Sequence, residues 1–142
     1  SNILSGGATL KQIRKGVLWP YLENYEVYKC PGDRNRNIRN FSYSQNAAYV
    51  YKNVSQISAY MSTVFLMVEE QRPDDGAYWY GNSGSPDSRD CLSFDRHCNC
   101  NNLLFGDGHV WAVPYETADS QLELREMGSF PGERDEPYVK TR

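Results

Sequence analysis

At 142 residues the chain suits one domain with a core of its own, and neither a linker nor an internal repeat divides it. A net charge of -3 and an isoelectric point near 5.4 argue against a general electrostatic affinity for nucleic acid. A mean hydropathy of -0.70, with no apolar run near the roughly 20 residues that a spanning helix needs, argues against a membrane span.

Taken in order, the chain opens without Met, so Ser1-Asn2 reads as a truncation point or a tag scar. Residues 1–8 are expected to be a flexible end. Thr9 can cap a short helix through Val17, with Leu10, Ile13 and Val17 on one stripe. Gly16 weakens it, and Pro20 can open a second helical piece that ends by Asn24. Trp19, Tyr21 and Leu22 are expected packing anchors. Tyr25–Cys30 alternates and reads as extended. Cys30-Pro31-Gly32-Asp33 is a turn, because Pro fixes φ, Gly accepts positive φ and Asp bonds back to the main chain. Arg34–Asn40 is a basic, solvated loop.

Phe41–Asn46 reads as a strand, and Thr63–Val68 as the central one, since its apolar run is continuous. Glu69-Glu70 would end that strand. Ala77–Tyr80 is a short edge strand or packed loop, and Gly81–Asp90 an exposed loop. A three-stranded meander follows over Leu92–His97, Asn102–Gly106 and His109–Tyr115. Its second turn is Asp107-Gly108, a two-residue hairpin signal. With Gly106 opposite His109, Phe105 would face Val110 and Leu103 would face Ala112. Leu92 and Phe94 would join that apolar face, leaving Ser93, Asp95, His97, Asn102, His109 and Trp111 on the other. Leu122–Met127 is one helical turn or a strand, and residues 131–142 form a charged, flexible tail.

Several chemistries compete for the polar stretch from Arg96 to Val110. His97, Cys98, Cys100 and His109 are zinc-ligand types, but Cys-x-Cys directs its thiols poorly into a tetrahedron. Asp87, Asp90, Asp95, Asp107, Glu69 and Glu70 could converge on calcium, which ranks above zinc although no ladder of acids is present. For any metal the candidate residues are therefore Asp95, Asp107, His97 and His109. A hydrolytic set drawn from Ser93, His97 and Asp107, or a Cys98–His109 pair, lacks a supporting local signature. Tyr78, Trp79, Tyr80, Trp111 and Tyr115 could stack on a sugar, but rings with wet polar ends more often fill the edge of a thin core. His97 is best read as a strut tying its turn to the Asp107 turn or to a neighbouring loop. The four cysteines, Cys30, Cys91, Cys98 and Cys100, permit three complete disulfide pairings. A Cys98–Cys100 ring is too small, so a bridge would run from that loop to Cys30 or Cys91.

His97, nine intervening residues and Asp107-Gly108 together resemble the prepilin-type processing-associated H-X9-DG domain family. Asn102 ahead of Leu103-Leu104-Phe105, and His109-Val110 after the turn, fit the same pattern. Gly16–Leu22, Val27–Asp33 and Phe41–Asn46 are similar to its upstream elements, so the likeness runs from Gly16 to Val110. Cys98 and Cys100 depart from it, standing where the family often has Gly-rich turn residues.

The resemblance implies an α+β, pilin-like head: an antiparallel sheet with a C-terminal three-stranded meander, covered by the short helices of Thr9–Asn24. The family's long N-terminal apolar helix is absent from this chain. His97, Asn102, Asp107 and Gly108 would be its structural motif. The function implied is a non-enzymatic pseudopilin-like subunit of a type II secretion-like or type IV pilus-like assembly. The partners would be other pilin-like subunits and a prepilin peptidase acting on a longer precursor, with no nucleic acid and no membrane contact except through the absent helix. The precursor would be anchored in the inner membrane, with its head in the periplasm or at the cell surface, where disulfides are allowed. No cofactor is implied beyond a structural calcium. Loss of the helix should leave an apolar strip through which the head self-associates. The alternative is an extracellular metal- or carbohydrate-binding module.

Overall fold

Five strands form one sheet in the spatial order β3-β1-β2-β4-β5. They are β1 (Tyr43–Asn46), β2 (Phe65–Glu69), β3 (Ala77–Tyr78), β4 (Cys100–Phe105) and β5 (Val110–Pro114). Three short helices precede or interrupt them: α1 (Leu10–Arg14), α2 (Trp19–Leu22) and α3 (Val54–Ile57). The architecture is thus α+β. This computed structural model describes residues 9–50, 52–73, 76–78, 92–93, 95–114, 128 and 130. The expected Gly81–Asp90 loop, the Leu122–Met127 element and both flexible ends lie outside the described residues, as do Cys91, Phe94, Trp79, Tyr80 and Tyr115.

The N-terminal segment forms as two helical pieces. Thr9 makes a full capping box: its hydroxyl accepts from the Gln12 amide, and the Gln12 side chain accepts from the Thr9 amide at 2.7 Å. α1 stops at Arg14, short of the expected Val17, as the Gly16 amide turns back to the Ile13 carbonyl. Pro20 stands in the first turn of α2. Trp19 anchors the segment by packing its ring 4.5 Å from Tyr25, whereas Tyr21, expected to pack, is 85% exposed. Tyr25–Tyr28 is a 3₁₀ turn rather than an extended segment. The cause is local: the Asn24 side chain accepts from the Glu26 amide at 2.9 Å and caps that turn.

β2 takes the central place expected of it. It pairs antiparallel with β1 on one side and with β4 on the other, through a bulge between Phe65 and Met67. The bulge lets Phe65 and Val68 both reach the core, which also holds Tyr78, Leu92, Leu103, Phe105 and Val113. A second cluster of Tyr49, Ile57, Val64 and Phe130 joins the α3 segment to the start of the strand. The sheet is not purely antiparallel, because β3 runs parallel to β1. A chain that reverses once after β2 and lands beyond β1 must run in β1's direction.

The expected meander is corrected in two ways. Leu92 pairs with Glu70 in an isolated bridge, and residues 95–99 are bends and turns, so the described residues of Leu92–His97 form no strand beside β4. That place belongs to β2. Asp95 and Arg96 already bend, and His97 adopts a left-handed φ of 47°, incompatible with a pleat, that Cys98 and Asn99 continue through the turn at 57° and 64°. The hairpin register also differs by one. Leu103 stands opposite Trp111, and Asn102 opposite Ala112. Only Gly108 of the Asp-Gly pair has positive φ, at 92°, and the Phe105 amide bonds the His109 carbonyl. The loop is therefore the three-residue type closed by a left-handed glycine, not a two-residue turn. One residue of slip exchanges faces: Trp111 joins the Leu103 side, and Val110 moves to the Leu104 side.

Candidate functional site

The Cys30–Asp33 turn forms as expected, with the Asp33 amide bonding the Cys30 carbonyl at 3.0 Å. Gly32 is not used for positive φ. A Cβ there would stand 3.6 Å from Cys30 Sγ and 3.8 Å from His97 Cε1, at ordinary contact distance, so space does not require a glycine either. Asp33 is buried and accepts from the Asn35 amide and from Ser42 Oγ, each at 2.9 Å. Two cations also face it, Arg96 with Nη2 at 3.1 Å and Arg39 with Nη1 at 3.8 Å. The residue before His97 is thereby clamped to the loop that carries Cys30.

Three potential ligands converge beside this clamp. His97 Nε2 lies 2.9 Å from Glu69 Oε1 and 3.1 Å from Cys30 Sγ. The three ligand atoms lie within 4.8 Å of one another, and no other such group of three occurs among the described residues. Cys30 and Glu69 are buried, while the His97 side chain remains 35% exposed. The Gly32 amide donates to Cys30 Sγ at 3.3 Å. Burial, with the Glu69 charge second, pushes the Cys30 thiol pKa up. The same neighbourhood pushes Tyr43 up to about 12, first through burial and then through Cys30 and Glu69. Glu69 sits where a strand terminator was expected, yet Glu69 and Glu70 are both buried. They point to opposite faces of the sheet, Glu70 accepting from Ser44 Oγ.

Thiol and carboxylate address the same ring nitrogen. A nucleophile–base–acid relay needs the two partners on opposite nitrogens of the imidazole. Here one Nε2 position can carry only one proton between two neighbours, so the geometry is that of convergent ligands rather than of a relay.

The motif residues are divided between the ends of β4. His97 precedes the strand and Asp107 follows it, separated by about 20 Å of extended chain. His97 ties its turn to the Cys30 loop and β2, not to Asp107. The Asp107 amide bonds the Met61 carbonyl, and Asp107 Oδ1 accepts from the His109 amide at 3.1 Å and meets His109 Nδ1 at 2.5 Å. Those bonds, the amide first, hold its carboxyl below the usual range. His109 also stacks on Phe105, with ring centroids 4.2 Å apart. Asp95, Asp107 and His109 therefore share no ligand group with His97. Ser93 is buried, and its amide bonds the Glu69 carbonyl, away from the Asp107 turn.

Cys30, Cys98 and Cys100 are free thiols. Cys30 faces His97, whereas Cys98 is exposed in the left-handed turn. The residue that sequence reading missed beside the turn is Asn101, expected in a loop. It lies buried in β4 and donates to the Glu69 carbonyl at 2.8 Å and to the Ser93 carbonyl at 3.3 Å.

On the Glu69 face of the sheet, opposite Asn101, lies an apolar groove of about 500 Å³. Leu18, Leu22 and Val27 line one wall, and Met67, Leu104 and Val110 the other, with Asn102 and Glu69 at the edge. Val110 is 62% exposed. No helix among the described residues is long and apolar enough to cross a membrane. The chain matches no family model, no curated protein and no solved structure.

Proposed function

We propose that the chain is the head of a pseudopilin-like subunit that works by packing rather than by bond making. The observation that carries this reading is the apolar groove between the N-terminal helical segment and the β2–β4–β5 face. Leu18, Leu22, Val27 and Val110, which line it, are all exposed. Such an apolar lining favours burial against a partner surface. In this reading the partner is the apolar helix of pilin-like subunits, and the precursor is processed by a prepilin peptidase before assembly at the cell envelope. The resemblance of the His97 to Val110 stretch supplies the assignment, and the groove supplies a physical means.

The test is the complete reading frame together with a processing assay. A basic leader, a peptidase cleavage site and an apolar helix upstream of Ser1, cut when the precursor is co-expressed with a prepilin peptidase, are the expected findings. An uncut precursor, or a frame without that segment, overturns the proposal.

A further inference from the structure

We propose that Cys30, Glu69 and His97 form a zinc site with three protein ligands and one position open to solvent. The proposal is independent of the packing role above. Its basis is convergence: a thiol sulfur, a carboxylate oxygen and an imidazole nitrogen from three separate segments meet with contacts of 2.9 and 3.1 Å. Each atom carries a lone pair once its proton is lost, and a cation resolves the conflict of three acceptors aimed at one point. Glu69 sharpens the need. Its side chain is 1% exposed, and Oε2 has no hydrogen-bond partner among the described residues. A buried carboxylate with one oxygen unpaired is costly unless a positive charge stands beside it.

The donor set selects the metal class. Thiolate and imidazole suit zinc, while calcium and magnesium want oxygens only. Tetrahedral zinc with ordinary bond lengths would set nitrogen and oxygen about 3.3 Å apart, and nitrogen and sulfur about 3.5 Å. The observed contacts are several tenths of an ångström shorter. The ring must therefore retreat slightly, and the partly exposed His97 is the ligand able to do so. The same exposure opens the fourth position to water. Zinc uptake at neutral pH would release the Cys30 proton to solvent, leaving a thiolate that accepts from the Gly32 amide.

The surroundings hold the ligands in place. The Arg96–Asp33 ion pair fixes the residue before His97 onto the turn after Cys30. The left-handed run at His97, Cys98 and Asn99 costs backbone energy, and it aims the imidazole back toward β2.

The test uses cobalt as a spectroscopic stand-in on reduced, chelator-stripped protein. The expected result is one equivalent of Co²⁺ bound, with a thiolate-to-cobalt charge-transfer band that Zn²⁺ abolishes. A Cys98→Ser/Cys100→Ser variant, altered in the turn and at the start of β4, should keep the band. Adding Cys91→Ser leaves Cys30 as the only thiol, and the band should persist. Cys30→Ser should lose it, and His97→Ala should weaken Zn²⁺ binding by more than about 100-fold, beyond what loss of a supporting partner costs. Absence of the band from the wild-type chain overturns the site, whatever the variants do. So does its loss from the Cys98→Ser/Cys100→Ser variant, which would place binding in the exposed turn.

Discussion

Arg96 and Asp33 form an ion pair of 3.1 Å in which both side chains are 1% exposed. Asp33 already accepts from an amide and a hydroxyl, so its carboxylate is well provided for. Arg96 is less so, for its Nη1 has no hydrogen-bond partner among the described residues. Breaking the pair from the acid side should therefore hurt more than the bond count suggests. Asp33→Asn is expected to cost about 3–5 kcal/mol, because it strands a buried guanidinium. Asp33→Leu combined with Arg96→Met should cost less than either change alone. Urea unfolding of Asp33→Asn, the double variant and its two single changes measures both statements.

The two glycines of the β4–β5 loop should fail for different reasons. Gly108→Ala meets no atom within 4 Å, so its cost is backbone alone, about 1–2 kcal/mol for a side chain at φ 92°. Gly106→Ala has no such φ, but its Cβ would stand 3.1 Å from Tyr49 Oη and 3.3 Å from Met61 Cα. It is expected to cost about 1–3 kcal/mol through crowding. Tyr49→Phe should relieve part of the second loss and none of the first, as read by thermal denaturation.

Neighbouring asparagines make a sharper comparison. Asn101 is buried and donates to the carbonyls of Glu69 and Ser93, whereas Asn102 is half-buried at the edge of the groove. Asn101→Ala should lower stability by about 1–3 kcal/mol, since it takes the side-chain donor from the Ser93 carbonyl and one of two donors from the Glu69 carbonyl. Asn102→Ala should change it by less than about 1 kcal/mol. Equal losses would show that the motif asparagine carries a structural load its position does not suggest.

Alkali should weaken the fold through its buried phenols. Tyr43 is pushed up to about 12 from 10.0 by burial and then by Cys30 and Glu69. Tyr49 is raised by burial and then by Asp107, and its hydroxyl donates to the Val64 carbonyl at 2.7 Å. The folded chain holds these protons to higher pH than the unfolded chain. Their contribution is complete below about pH 10 and declines as pH rises toward 12. In metal-free protein the urea midpoint should fall across that window, and Tyr43→Phe should flatten the fall.

The groove predicts association. Leu18, Leu22 and Val110 line it, and none of the three is buried. Sedimentation should show concentration-dependent self-association that Leu22→Asp or Val110→Asp abolishes while circular dichroism is unchanged. A wild-type chain that stays monomeric at high concentration would remove the groove's role.

Local rules found much of the frame. The Thr9 cap, the Pro20 helix start and the central place of the Phe65 strand were legible, since each rests on neighbours in sequence, whereas the reciprocal Gln12 half of the capping box was not read. The hairpin was legible in kind but not in register, because Asp107 keeps a negative φ and only Gly108 turns left-handed. The Leu92–His97 strand failed at its end, where His97 opens a run of three side-chain-bearing residues with left-handed φ, a choice no local propensity favours. The ligand cluster was hidden for another reason. His97 and Glu69 were both weighed for metals, but with other companions, and Cys30 was weighed as a turn residue and as half of a disulfide. A pair of acids ending the most apolar strand was the available signal. Acids at that place stay solvated in most folds, and here the sheet carries both into its interior.

The Cys30–His97 contact spans 67 residues of chain. β1, β2 and their pairing lie inside that span, and β4 begins just beyond it. Closing so long a loop costs entropy that only the finished sheet can offset. The contact therefore belongs to the last stage of folding. A probe at His97 would report completion of the sheet, whereas one in the Thr9 helix would report only its own first turn.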